Sequence, residues 1–496
     1  MLISLKRNQY DGIMRFSDPQ GTYQQSGGVV VPYTYTITHY ISPTGGDTQA
    51  AFGAATNPAS PCSYFAFKTY AQPGHFALAA PGVYVGSQSW LQNQSDWRWE
   101  SVFTFDNSGT AGNPIGVVSQ YPAAYHHANP SLRTEFRTWT STDNGGAGTI
   151  GSFGRNYHIF DGIYIDENVS AKWTEKAPIL VKDSDNVTIR RCYVRSDTLP
   201  GGPQDNHSAI RGEDSSNLTI EDGVYTNCYL LTSDPNTDVG DSHAHTMLFY
   251  GCDNVEIRYN TIHSARGGIH FKGERVDDQR NPMSVHHNRI YDLDYSGIML
   301  GEVESSVSQF CDIYQNIVSN VERFVHFVPY TTNLPREFRL INNSFYNAST
   351  TEGALFASAG AGAGTFQNSV IRNNIFHINN TNTNLLMAYS DLTETIVRRA
   401  DWGNNVYHGH NATLLSLPGA SHTLSTWQAL GEDAGSISQD PLFADAANSD
   451  FSLQGSSPAI NKGADYLNLL GGGTSAVINA GAHISGSDHF GPRAAA

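Results

Sequence analysis

Residues 338–345 read FRLINNSF and residues 369–376 read SVIRNNIF. The same frame occurs earlier as NVTIRRCYV (186–194), NVEIRYNTI (254–262), MSVHHNRI (283–290) and CDIYQNIV (311–318). Superposing these stretches gives a column of Cys192, Cys228, Asn260, Asn288, Asn316, Asn343 and Asn374, continued by Asn405, at spacings of 36, 32, 28, 28, 27, 31 and 31 residues. Apolar residues fall three before and two after the column: Ile257 and Ile262 flank Asn260, Val285 and Ile290 flank Asn288, and Leu340 and Phe345 flank Asn343. Period-two alternation inside each stretch is that of a strand. Recurrence at a near-constant length is that of a solenoid whose coils stack on one another.

Asparagine at the recurring position has a physical reason. A strand that bends sharply into the next face of a coil leaves backbone groups unpaired. A short amide carries both donor and acceptor, so it satisfies them and also pairs with its equivalent one coil on. Stacked coils lie ~4.8 Å apart, which sets identical amides within bonding reach. Cysteine in the first two slots is read as the buried apolar version of the same rung. The ladder specifies a fold and carries no chemistry.

The chain has 496 residues, a length that elsewhere implies several domains, but a solenoid grows by repetition within one body. Charged residues make up only 15% of it and glycines number 47, which suits a turn-rich all-β protein. A net charge of −17 argues against nucleic acid or an anionic membrane as a general partner. No stretch is apolar enough to insert in a bilayer. The N-terminal MLISLKRNQYDGIMRFSDPQG lacks an apolar signal-peptide core, so the expected extracellular or virion location implies a trimmed leader or release by cell lysis. The five cysteines, Cys62, Cys192, Cys228, Cys252 and Cys311, form neither a disulfide framework nor a zinc motif, and a reduced stacked pair is expected at Cys192 and Cys228.

Three segments follow: 1–38 without repeat, read as a cap or attachment segment; 39–410, the solenoid; and 411–496, where the repeat fades, read as a C-terminal cap over the last coil's open edge. From 39 the text runs HYISPTGGD, then PCSYFAFKTYAQPGHFALAAPGVY, NSGTAGNPIGVVSQYPA and NYHIFDGIYI. This order resembles the opening of the right-handed parallel β-helix proteins of the pectate-lyase-like superfamily. In those a strand ending in a Ser-Pro-Asn-Gly-like turn precedes a short capping helix, and a Pro-Gly-x-Tyr-like turn and a Gly-Thr-x-x-x-Pro-Ile strand follow. Ser42-Pro43-Thr44-Gly45, Gly82-Val83-Tyr84, and Gly109-Thr110 with Pro114-Ile115 occupy those places, and QDPLFADAANSDFSLQGSSPAINKGAD (439–465) resembles the usual closing segment. The resemblance covers roughly 39–465 and implies an all-β, single-stranded right-handed parallel β-helix with terminal caps.

Function on such a scaffold belongs to outward residues aligned across coils and walled by long loops. Inserted stretches occur at 196–208, 232–246 and 274–282. Aligning APILVKD, SAIRGED, MLFYGCD, GGIHFKGER and SGIMLGEVE turns Ile210, Ile269, Phe271, Ile298 and Leu300 inward. The outward column then reads Lys182, Arg211, Tyr250 and Lys272, with His270 and Met299 beside it. Segment 256–289 carries six basic residues (Arg258, Arg266, Lys272, Arg275, Arg280, Arg289) against four acidic ones, and adds His263, His270, His286 and His287. A cationic patch on an acidic body is a seat for an anionic polymer.

That patch fits β-elimination of a uronic-acid polysaccharide. The reaction needs a cation to neutralise the carboxylate beside the acidic C–H and a base to take the proton. Lys272, Arg275, His270, Arg211 and Tyr250 are the residues for those roles, with Lys182, His245, His263, Tyr291 and Arg289 as substrate contacts. An acidic set, Asp238, Asp241, Glu302 and Glu304 with His243 and His245, is the alternative: paired carboxylates for hydrolysis, or oxygen ligands for Ca²⁺. The elimination reading requires no cofactor. A column three residues past each rung, His263, Tyr291, Ser319, Tyr346, His377 and His408, is either a sugar-stacking platform or ordinary cross-strand packing.

The superfamily resemblance implies a polysaccharide lyase, a glycoside hydrolase, an epimerase or a virion tailspike that cuts or binds surface glycans. The Arg-x-Arg-His-Gly-like stretch of one lyase branch is replaced here by GGIHFKGER (267–275), and the clustered aspartates of the galacturonases reduce to the single Asp241 of Gly-Asp-Ser. The expected partner is a polysaccharide, and the tailspike reading adds a homotrimer.

Overall fold

The computed structural model describes residues 2–8, 31–87, 101–138, 148–166, 177–197, 208–229, 244–272, 283–301, 309–328, 336–348, 353–357, 366–381, 383–388, 392–463 and 494–495. They divide into two compact units, Met1–Arg266 with Gly491–Ala496, and Gly267–Phe490.

In the first unit one face stacks Phe76–Ala79, Ile115–Ser119, His158–Asp161, Val187–Arg190, Ser216–Glu221 and Asp253–Arg258, each parallel to the last. In the second unit the equivalent stack is Met283–His286, Gln309–Tyr314, Arg336–Ile341, Val370–Arg372 and Asp401–Gly403. Parallel pairing between strands about thirty residues apart is the signature of a β-helix, as the repeat predicts.

The corner between faces is built by two consecutive residues. The first adopts a left-handed backbone: Arg191, Asp222 and Tyr259 in the first unit, and His287, Gln315, Asn342, Asn373 and Asn404 in the second, all with φ between 50° and 60°. Asparagine tolerates this conformation better than most residues, which explains the recurring Asn-Asn pair. The second residue is the rung. In the second unit the Nδ2 groups of Asn288, Asn316, Asn343 and Asn374 donate to the next rung's Oδ1 at 3.0, 3.0, 3.1 and 3.2 Å. The same Oδ1 atoms accept the backbone N–H of the rung before. Each Nδ2 from Asn316 onward also reaches the carbonyl three residues before the preceding rung, as Asn343 does to Ile313 at 2.8 Å. All five asparagines from Asn288 to Asn405 are at most 1% exposed.

The first unit corrects one rung. Tyr193 pairs with Val224 and Val224 with Thr261, so Gly223, not Cys228, lies between Cys192 and Asn260. Gly223 N–H donates to Asn260 Oδ1 at 2.9 Å, and Asn260 Nδ2 to the Ile220 carbonyl at 2.9 Å. Cys228 is buried off the ladder, with its thiol on the His245 carbonyl. All five cysteines are free thiols, but the expected stacked pair does not form, since Gly223 and not Cys228 stands beside Cys192.

Inside, aromatic rings stack along the coil axis: Phe345 on Phe376 at 5.0 Å and Phe376 on Tyr407 at 5.7 Å. In the first unit, helix Gln49–Ala54 follows the His39–Gly46 strand, as the resemblance implies. Helix Tyr64–Tyr70 seats Tyr64 against Phe103 and Phe136. Just before residue 39, Tyr35 and Ile37 pack with Phe76 and Val118 of the first unit.

In the second unit parallel pairing runs beyond 410, to Ile437–Ser438 beside Val406–His408. The hairpin Phe443–Asp445 with Asp450–Leu453 then packs sideways: Phe443 and Phe451 join Ile317, Ile375 and Val406.

Candidate functional site

The three strands Ile179–Lys182, Ile210–Glu213 and His245–Tyr250 lie side by side in the first unit. Ile179, Ile210 and Met247 turn inward and are at most 1% exposed, so alternation sends Lys182, Arg211, Glu213 and Tyr250 outward. The register refines the column drawn from sequence. Lys182 stands beside Glu213 and Glu213 beside Tyr250, whereas Arg211 stands between Leu180 and Leu248, one pleat away on the same face.

The side chains converge all the same. Arg211 Nε donates to Glu213 Oε1, and Lys182 Nζ to Glu213 Oε2 at 3.0 Å. Lys182 also lies 3.6 Å from the Asp214 carboxylate. The Arg211 guanidinium sits 4.6 Å over the Tyr250 ring. Burial pulls the Lys182 pKa down, but the Glu213 hydrogen bond and charge outweigh it and hold it above the ordinary lysine value. Lys182 is therefore a standing cation, suited to holding an anion and unsuited to taking a proton.

Glu213 is the member that sequence reading missed. It is 5% exposed and bridges both cations. The signal was present in SAIRGED, where Arg211 and Glu213 stand two apart and so share a strand face.

Other predicted residues lie elsewhere. His245 is buried at the opposite end of its strand from Tyr250, ~17 Å away along the chain, so it is not part of this cluster. His263 is half-buried on Thr261–Ala265 and touches Thr226 Oγ1 at 3.4 Å and Ser264 Oγ at 3.1 Å. In the second unit His270 and Lys272 share the outward side of Gly267–Lys272, between the buried Ile269 and Phe271, and are 1% and 9% exposed. Arg289 and Tyr291 form a pair of their own, guanidinium 4.9 Å over the ring. Arg275, Asp238, Asp241, Glu302, Glu304 and His243 fall outside the described residues. Among the described residues no cluster of His, Cys, Asp or Glu suits a metal ion.

The predicted aromatic column is real in register: Tyr291, Ser319, Tyr346, His377 and His408 are consecutive partners. Its C-terminal half is not an open platform. Phe451 lies 5.5 Å from the Tyr346 ring, and Phe443 stacks on His377 at 6.2 Å.

No protein-family model matches the chain, and no curated protein matches it by sequence. Among solved structures, the pectate lyase Pel9A superposes with a TM-score of 0.53 at 14% identity, over 90% of this chain and 96% of that one. A rhamnogalacturonan lyase gives 0.41 at 11% identity, over 75% of this chain and 87% of that one. The A-module of the Azotobacter vinelandii mannuronan C-5 epimerase AlgE4 gives 0.40 at 11% identity, over 74% and 91%. The fold is a right-handed parallel β-helix, similar to that of the pectate lyase Pel9A.

Proposed function

We propose that the chain is an extracellular or virion-associated polysaccharide-active protein, and that it cleaves an acidic polysaccharide by β-elimination on the outer face of the β-helix. The observation that carries this reading is the convergence of Lys182, Arg211, Glu213 and Tyr250 on one outward face. Lys182 and Arg211 bring two cations to that face, and Glu213 fixes both side chains in place. A uronate carboxylate beside them is partly neutralised, which acidifies the C–H next to it. A base then takes that proton, a double bond forms between the two ring carbons, and the glycosidic oxygen leaves with a proton supplied to it. Tyr250, on the same face of the first unit, is the proton-transfer group for this step. The role of the cations is electrostatic and that of Glu213 is positioning.

Incubation with acidic and neutral polysaccharides, following ultraviolet absorbance and reducing ends together, tests the reading. Elimination raises both. Reducing ends alone mean hydrolysis, the tailspike-hydrolase alternative, and direct attention to the carboxylates of Asp238, Asp241 and Glu302. Binding without new ends means a glycan-binding protein.

A further inference from the structure

A second group of outward side chains lies wholly in the second unit. The register sets His270 beside Met299, Met299 beside His326, and His326 beside Phe356. Their inward neighbours Ile298, Val325 and Leu355 are fully buried, so this column faces away from the core. Side chains on the outside of a β-helix are ordinarily solvated. Here Met299, Arg323, His326 and Phe356 are only 5%, 8%, 4% and 6% exposed. An outward cation this buried is costly unless something holds it. The Arg323 guanidinium lies 4.3 Å over Phe356 and 5.1 Å over Tyr295, and its Nη2 pairs with Glu322 at 3.0 Å. His326 meets the edges or faces of the same two rings, at 5.7 Å from Tyr295 and 5.1 Å from Phe356.

We infer that Arg323 and His326, framed by Tyr295 and Phe356, form a recessed subsite for one acidic sugar unit of a polymer that also crosses Lys272. Arg323 supplies a planar cation for the carboxylate. His326 supplies an imidazole hydrogen-bonding group, and the two rings supply apolar faces for the sugar's C–H surface. Glu322 pairs with Arg323 and is itself partly exposed. Lys272 ends a strand two pairings from the one carrying Arg323 and His326, a spacing of ~10 Å. That separation suits neighbouring units of one chain. The inference rests on the acidic-polysaccharide reading above but does not need bond cleavage.

The test is affinity electrophoresis of the full chain through gels containing polygalacturonate, alginate or hyaluronate, with dextran as the neutral control. At least one acidic polymer should retard the native protein and dextran should not. Arg323→Gln should weaken that retardation about tenfold or more in apparent Kd, and Arg323→Lys should keep part of it. This outcome holds the subsite even where no double bond forms, so it separates binding from elimination. Unchanged retardation in both Arg323→Gln and His326→Gln, with native melting temperatures, overturns it. So does failure of all the acidic polymers to retard the native protein. If Arg323→Gln does not fold, His326→Gln decides by the same criterion.

Discussion

Asn405 Nδ2 donates to Asp433 Oδ1 at 3.2 Å, and this contact ends the asparagine ladder of the second unit. Tyr407 Oη donates to the other oxygen at 2.7 Å. Burial of Asp433 pushes its pKa from the ordinary 3.8 up to about 6, despite the hydrogen bonds it accepts. The native state therefore holds a proton that the unfolded chain has already lost between those values. Its stabilising contribution is fully present below pH ~4 and is lost as pH rises through about 6. Replacing Asp433 by Asn should remove that slope, worth on the order of 2–3 kcal/mol across the window. Chemical unfolding of both proteins at pH 4.5 and pH 7 measures it. A parallel pair of pH profiles would contradict the assignment.

The ladder itself makes a second prediction. Asn343→Ala leaves the Asn316 N–H and the Ile313 carbonyl without the partners they have now. The expected loss is roughly 2–6 kcal/mol, from two buried backbone groups at about 1–3 each. Asn342→Gly, at the neighbouring left-handed corner, should cost much less, since glycine adopts that backbone freely. Equal costs for the two variants in urea unfolding would mean that the amide ladder is not what stabilises the coil.

Asp161 and Arg191 are both fully buried, with Arg191 Nε on one carboxylate oxygen at 2.7 Å and Nη2 on the other at 2.5 Å. Tyr35, from the segment before the first coil, donates to the same carboxylate and accepts from Arg190 at 3.0 Å. Asp161→Ala should destabilise the first unit by about 3–5 kcal/mol, because it leaves a buried guanidinium uncompensated. Tyr35→Phe should cost only ~1–2 kcal/mol and should expose the chain around Tyr35 to proteolysis first. Global unfolding of Tyr35→Phe, without earlier cleavage near that residue, would contradict this attachment.

The repeat was legible because a polar amide in an apolar strand frame is conspicuous at any spacing. It misplaced Cys228 for a reason that lies in chain length. The true rungs Cys192, Gly223 and Asn260 are 31 and 37 residues apart, and a glycine rung has no side chain to announce itself. Lys182, Arg211 and Tyr250 are legible as outward in the sequence, since Val181, Ile210 and Phe249 beside them are apolar and buried. The Arg211–Glu213 pair is legible two residues apart in SAIRGED, whereas the Lys182–Glu213 ion pair across coils is invisible until the register is known. At Tyr346 and His377 the sequence leaves platform and ordinary packing both open, because the hairpin that seats Phe443 and Phe451 on them lies far along the chain.

Arg211 and Glu213 carry different duties, and kinetics should separate them. With an acidic polysaccharide that the protein cleaves, Arg211→Ala should lower kcat/KM by about a hundredfold or more, as for removal of a charged stabilising group. Glu213→Gln should lower it less, since the cations remain but lose their fixed positions. An Arg211→Ala enzyme with native kinetics would remove this face from the active site.

The most direct measurement is the double assay on the native protein: ultraviolet absorbance and reducing ends, recorded together across uronate-containing and neutral polysaccharides. The expected result is a parallel rise in both with at least one uronate polymer and with no neutral one. Reducing ends without absorbance, or cleavage confined to a neutral polymer, would contradict elimination at the Lys182–Arg211–Glu213–Tyr250 face.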